Sequence, residues 1–267
     1  MTAINPARLK IQCVELSELY SDPDKFIQDL HELFDFYAVR VRKNEVTRTS
    51  LLLQSYQVSP PVMRALEQEL IEPLNTQPSQ GLILNDALWE QEWVETRTLA
   101  VTLLGSMPPI NPASIFKRIE SWISSCKSNP IRSTLTTRGV RRLSTENPGL
   151  VLDFFHELLS PPSKGNCQAV LFGLVPFASN HDFDNLPRLY KLLDSILLVK
   201  EKGLVKEILV ILKTLIKRSE QESLYFLERQ LSTASKPRIL RVIRQILPSF
   251  SAQNQAVLKK ALKRQDA

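Results

Sequence analysis

The chain has 267 residues, with 34 Lys+Arg against 28 Asp+Glu and a formal charge of +6. A hydrophobic fraction of 43% supports a packed core and excludes a disordered chain. With only seven glycines and no G-x-G-x-x-G or G-x-x-x-x-G-K-[ST], turn-rich β-sandwiches, barrels and glycine-rich phosphate loops are disfavoured.

In chain order, apolar residues recur at helical spacing in nearly every window, and Pro or a polar cluster interrupts them. Asp22-Pro23 opens a predicted helix reaching about Val39, and Ser59-Pro60-Pro61 opens Val62–Ile71. Trp93–Met107 and Ser114–Cys126 follow, separated by Pro108-Pro109 and Asn111-Pro112. Asn129-Pro130 opens Ile131–Leu143, Asn147-Pro148 opens Gly149–Leu159, and Ser160-Pro161-Pro162 precedes Asn166–Ala178. Gly203–Lys217 and Lys236–Pro248 lie near the end. Asn, Asp or Ser before Pro supplies an acceptor for the free amides of a helix start, and a preset φ at its first residue. About fifteen helices of three to four turns are predicted, with no convincing β alternation. Helix pairs recur at about 35 to 45 residues, as in Glu92–Leu104 against Ile131–Leu143. This period predicts one all-α domain over residues 1–267: an α-α superhelix (solenoid) of degenerate HEAT-like repeats, with 1–24 and 249–267 as terminal caps.

No apolar run approaches the roughly 18 residues of a transmembrane helix, and MTAINPARLK lacks a signal-peptide stretch. Cys13, Cys126 and Cys167 are odd in number and far apart, which predicts reduced thiols. A cytoplasmic protein with no membrane partner is expected.

Charge is unevenly placed. Residues 200–267 hold 15 Lys+Arg and 6 Asp+Glu, net +9, leaving 19 and 22, net −3, for residues 1–199. Seven basic residues also lie between Lys117 and Arg142, against the single Glu120. Lys202, Lys206, Lys213 and Lys217 form one helical stripe at i, i+4, i+11 and i+15. Arg138, Arg141 and Arg142 share a predicted face, and Arg238, Arg241 and Arg244 make a row at i, i+3 and i+6. Such rows on consecutive helices make a basic track suited to a polyanion backbone, although solvated helix faces carry similar charges.

Catalytic signals are sparse. His31, His156 and His181 show no metal-ligand spacing, and no nucleophile motif occurs, so no metal or cofactor is expected. Ile115, Ile119, Trp122, Ile123 and Cys126 trace an apolar stripe, which favours Trp122 in the core; contact with a base is its alternative role. Trp89 and Trp93, framed by Asp86, Glu90, Glu92 and Glu95, read as a packed helix junction.

The stretch LWEQEWVETRTLAVTLLG over Leu88–Gly105 resembles a signature of the HEAT-like DNA alkylation repair proteins, the AlkD-type alkylpurine DNA glycosylases. The matching residues are Leu88, Trp89, Glu95, Arg97, Ala100, Leu103 and Leu104. Upstream, Tyr56 to Arg64 resembles the family's Gly-Ile/Val-x-x-Pro-x-x-Arg turn, with Gln57 in place of Gly. Glu146-Asn147-Pro148-Gly149-Leu150 is similar to a further helix start, and the resemblance spans about residues 25 to 245.

The resemblance implies a basic concave surface that holds duplex DNA, and excision of N3- and N7-alkylated purines. It also implies a Trp, with an Asp four residues later to stabilise the cationic sugar. One register puts this pair at Pro130 and Thr134; anchoring on Trp122 puts Cys126 at the Asp position. The family's second cleft Trp falls near Val210, and a family Arg near Cys167 or Gln168. Neither register supplies a carboxylate, and the spacing promotes none of Asp153, Asp182, Asp184 and Asp194.

The expected function is therefore a DNA-binding repeat protein related to these glycosylases, without their Trp/Asp pair. Its expected phosphate contacts are Arg132, Arg138, Arg141, Arg142, Lys206, Lys213, Lys217, Arg241 and Arg244. An alkylpurine glycosylase with a relocated carboxylate and a protein-interaction scaffold are the alternatives.

Overall fold

The computed structural model describes residues 4–38, 53–199, 203–233 and 237–264. The described residues form sixteen α-helices and no strand beyond one bridge between Gln54 and Trp93. Met1–Val151 and Leu152–Ala267 are two compact units. The first contains α1 (Pro6–Glu18), α2 (Pro23–Tyr37), α3 (Pro60–Glu69), α4 (Ile71–Thr76), α5 (Pro78–Glu90), α6 (Val94–Ser106), α7 (Pro112–Ser125), α8 (Asn129–Thr137) and α9 (Arg141–Glu146). Helix α10 (Pro148–Leu158) begins in the first unit and ends in the second. The second continues with α11 (Lys164–Ser179), α12 (Leu186–Leu198), α13 (Val205–Arg218), α14 (Glu220–Thr233), α15 (Pro237–Ile246), a 3-10 turn at Leu247–Ser249 and α16 (Ala252–Lys263).

The helix starts follow the expected chemistry at several places. Asn5, Asp22, Asn111, Ser163 and Asn185 each accept from backbone amides of the first turn that have no partner within the helix. Asn129 instead stands inside α8, with Ser128 as the flanking residue.

Packing follows two rows in each unit. In the first unit α1, α3, α6 and α8 contact one another in sequence, and α2 packs on α5. Stacked Trp89 and Trp122 extend that second row from α5 to α7, with ring centroids 4.4 Å apart and an interplanar angle of 6°. A bidentate Arg118–Asp86 pair joins the same two helices. In the second unit α11, α13 and α15 form one row. In its other row α14 packs on α16, and the Tyr190 hydroxyl of α12 meets that of Ser223 on α14 at 2.8 Å. Contacts such as α5 with α6 and α13 with α14 join the rows. This is the all-α helical-repeat fold that the periodicity predicts.

Helix α6 is central in the first unit, with Leu99 through Gly105 all buried. A Cβ on Gly105 would collide with the Arg138 carbonyl, so glycine lets α6 touch the corner between α8 and α9. The predicted single helix Ile131–Leu143 breaks there: α8 stops at Thr137 and α9 starts at Arg141.

Candidate nucleic-acid interface

In the first unit Arg138 ends α8 and Arg141 opens α9, and both side chains are exposed. The corner between them breaks the single face expected for Arg138, Arg141 and Arg142. Arg142 turns to its own fold: its Nε donates to Glu146 at 2.8 Å and its Nη1 to Asn75 Oδ1 at 2.8 Å, tying α9 to α4. Arg132 braces the start of α8, donating to Asn129 Oδ1 at 2.7 Å and to the Cys126 carbonyl.

Half-buried Glu67 on α3 lies within electrostatic reach of Arg138 and Arg141 and of exposed Arg64 on its own helix. Burial pushes the Glu67 carboxyl above its usual pKa, against the opposing pull of Arg138, a hydrogen bond with Thr102, and the pull of Arg141 and Arg64. Helix α6 carries a row of hydroxyls bonded back into the helix. Thr98, Thr102 and Ser106 donate to the carbonyls of Val94, Thr98 and Thr102 at 2.7, 2.9 and 2.9 Å. Thr134 and Thr137 on α8 do the same toward Pro130 and Ser133, at 3.0 and 2.8 Å. Glu67 had no spacing signal in the sequence. Only the packing of α3 on α6 brings it to this surface.

The signature residues of Leu88–Gly105 build the entry to α6. Glu95 is 6% exposed, and its Oε1 accepts from the Ser55 hydroxyl and the Gln57 amide, each at 2.8 Å. Backbone bonds between Gln54 and the Glu92–Val94 segment hold the same loop. Gln57 has a φ of 56°, the left-handed region where glycine is the unstrained residue. Arg97 donates from Nε to the carbonyls of Trp89 and Gln91 at 3.0 Å and lies over the Trp89 ring. Trp122, 5% exposed, has one face covered by Trp89. Trp93 stacks on Tyr56, with centroids 3.9 Å apart, at the junction between α5 and α6.

In the second unit α13 exposes Lys206, Lys213 and Lys217, with Val210 52% exposed among them. The fourth member of that stripe, Lys202, lies outside the described residues. Helix α15, packed on α13, exposes Arg241 and Arg244. Arg238 leaves its predicted row and turns inward, donating to the Val199 carbonyl at 2.7 Å. Cys167 and Gln168 are buried on α11, where Gln168 donates to Glu207 at 2.8 Å. Three of the four aspartates weighed from sequence have basic neighbours: Asp153 pairs with Arg188, Asp194 lies 3.4 Å from Arg229, and Asp184 4.0 Å from Arg218.

Helical repeats with basic residues on exposed faces, and a Glu-x-Arg pin of buried Glu95 and half-buried Arg97 at the start of α6, define an all-α repeat protein. The family described as DNA alkylation repair enzyme matches residues 53–246, well over half of the chain, and the chain belongs to that family. The chain matches no curated protein and no solved structure.

Proposed function

We propose that the protein binds duplex DNA through its phosphate backbone, without the Trp/Asp chemistry of alkylpurine glycosylases. The observation that carries this reading is the exposed row Lys206, Lys213 and Lys217 beside Arg241 and Arg244 on the adjoining helix, in a chain of this family. Arg138 and Arg141 add a separate group of contacts on the first unit. Arg132 and Arg142 brace that surface from within. Such contacts position the duplex and do not read its bases.

The two places assigned to the catalytic Asp hold uncharged groups. Thr134 donates its hydroxyl to the Pro130 carbonyl at 3.0 Å, and the Cys126 thiol is buried beside the Ser128 carbonyl. Neither balances a developing sugar cation as a carboxylate does. Three buried free cysteines suit a reducing compartment, and we place the protein in the cytoplasm.

The deciding experiment titrates methylated and unmodified duplex at two salt concentrations and assays free base in the same samples. Salt-sensitive binding without base release is expected. Released alkylpurine, abolished by a single Asp→Asn change, would establish a glycosylase with a relocated carboxylate, and no binding at low salt would leave a protein-interaction scaffold.

A further inference from the structure

We propose that the groove between α1 and α2 of one copy receives the lysine row of α13 of a second copy, a head-to-tail contact that shields the row from DNA. The shielding rests on the DNA-binding reading; the contact itself stands on the two surfaces.

The groove has an apolar floor and an acidic rim. Helix α1 supplies Glu15 and Leu16, and α2 supplies Asp29, Glu32, Leu33 and Phe36, a stripe at i, i+3, i+4 and i+7. Together they line a space of about 290 Å³. The Tyr37 hydroxyl donates to Gln12 Oε1 at 2.8 Å and ties the two helices together there. Phe36 is 53% exposed, and its ring carries the Arg8 guanidinium 4.4 Å from the centroid, so this rim already attracts a cation. Residues 4–38 hold seven Asp+Glu against three Lys+Arg, in a chain of net +6. The surface therefore repels phosphate and attracts a basic protein face. Among the described residues Glu15, Asp29 and Glu32 have no ion-pair or hydrogen-bond partner.

The complement is on α13. Lys206, Val210, Lys213 and Lys217 stand at i, i+4, i+7 and i+11, all exposed, with an apolar side chain between the cations. Among the described residues the three ammonium groups have no partner either. Val210 can cover Phe36 and the floor at Leu16 and Leu33, while the lysines reach the carboxylates of the rim. A free polyamine would match the charges and leave the apolar floor in water, so a helical face carrying both chemistries fits better.

Groove and row are different patches, so the contact is heterologous. Each pair of copies keeps one open groove and one open row, and association can continue beyond two chains. Exposed ion pairs are individually weak and screened by salt, so the contact is reversible. Duplex, with one charge per about 1.7 Å, competes for the same lysines.

The test is sedimentation of the full chain over a concentration series at low and high salt. Wild type should gain average mass with concentration at low salt and return to the mass of one chain at high salt. Asp29→Lys/Glu32→Lys, and separately Lys206→Gln/Lys213→Gln/Lys217→Gln, should each weaken association about tenfold. An equimolar mixture of the two variants should form particles of two chains and none larger, because one intact groove meets one intact row. That recovery also shows that both variants are folded. Unmodified duplex added to wild type should disperse the assemblies. Wild type at the mass of one chain throughout, or variants that associate like wild type, overturns the contact and leaves the DNA-binding reading standing. Association lost in the groove variant but kept in the lysine variant overturns α13 as the occupant. Assemblies that need both surfaces but persist in saturating duplex overturn the shielding, and whether duplex binds at all is decided by the titration with methylated and unmodified DNA.

Discussion

Gln57 and Gly105 are opposite cases of one backbone constraint. Gln57 occupies left-handed space at a φ of 56° because its amide must reach Glu95. A side chain there costs about 1–2 kcal/mol, which exceeds the entropy penalty of glycine, about 0.5–1 kcal/mol. Gln57→Gly should therefore stabilise the fold by up to about 1 kcal/mol, seen as a higher urea midpoint with unchanged slope. At Gly105 the added methyl of Gly105→Ala meets backbone that cannot swing aside. It should cost about 1–3 kcal/mol and, by displacing the corner that carries Arg138, weaken duplex binding. An unchanged midpoint would remove the close-contact explanation. Trp122 acts through packing: Trp122→Ala should cost about 3–5 kcal/mol in denaturant, whereas Trp122→Phe should keep its duplex affinity.

Helix α16 is held from outside its own sequence. Glu220, at the start of α14, accepts from the Ser251 amide and hydroxyl at 2.8 and 2.7 Å and from the Asn254 side chain at 2.7 Å. The Ser251 side-chain and backbone bonds, with Asn254, hold the Glu220 carboxyl below its ordinary value of 4.5. A lowered folded-state pKa contributes stability that is complete above the ordinary value and disappears as pH falls through the lowered one. Amide exchange in α16 should accelerate selectively in acid below that range, and Glu220→Gln should show faster exchange there already at neutral pH. Equal protection of α16 in both proteins across this range would rule the clamp out. No sequence pattern announces this clamp, because its partners are 31 and 34 residues apart. The starts of α2 and α7 were legible, since Asp22-Pro23 and Asn111-Pro112 act within one turn. The end of α8 was not, since the close approach of α6 breaks a continuous apolar pattern.

Across the whole chain, positive charge concentrates in residues 200–267, at net +9 against −3 for the rest. A polyanion that contacts this region should release counterions in proportion to the cations engaged. Replacing Lys206, Lys213 and Lys217 with Gln should flatten the dependence of log affinity on log salt by about 0.9 for each phosphate no longer neutralised. An unchanged slope would take α13 out of the interface. The lysine row was legible because helical spacing separates its exposed face from the buried Ile208, Ile211, Leu212 and Leu215. The roles of Arg142, Arg238 and Glu67 were not, because neighbours distant in sequence decide whether a charged group faces solvent or its own fold.

The back-bonded hydroxyls of α6 and α8 have a consequence for hydration. Thr98, Ser106, Thr134 and Thr137 direct their protons into their own helices. To an approaching phosphate the surface beside the arginines therefore presents oxygen lone pairs with no proton to offer. Under the proposed phosphate binding, water molecules that donate to both oxygens would bridge the gap and make this part of the contact wet.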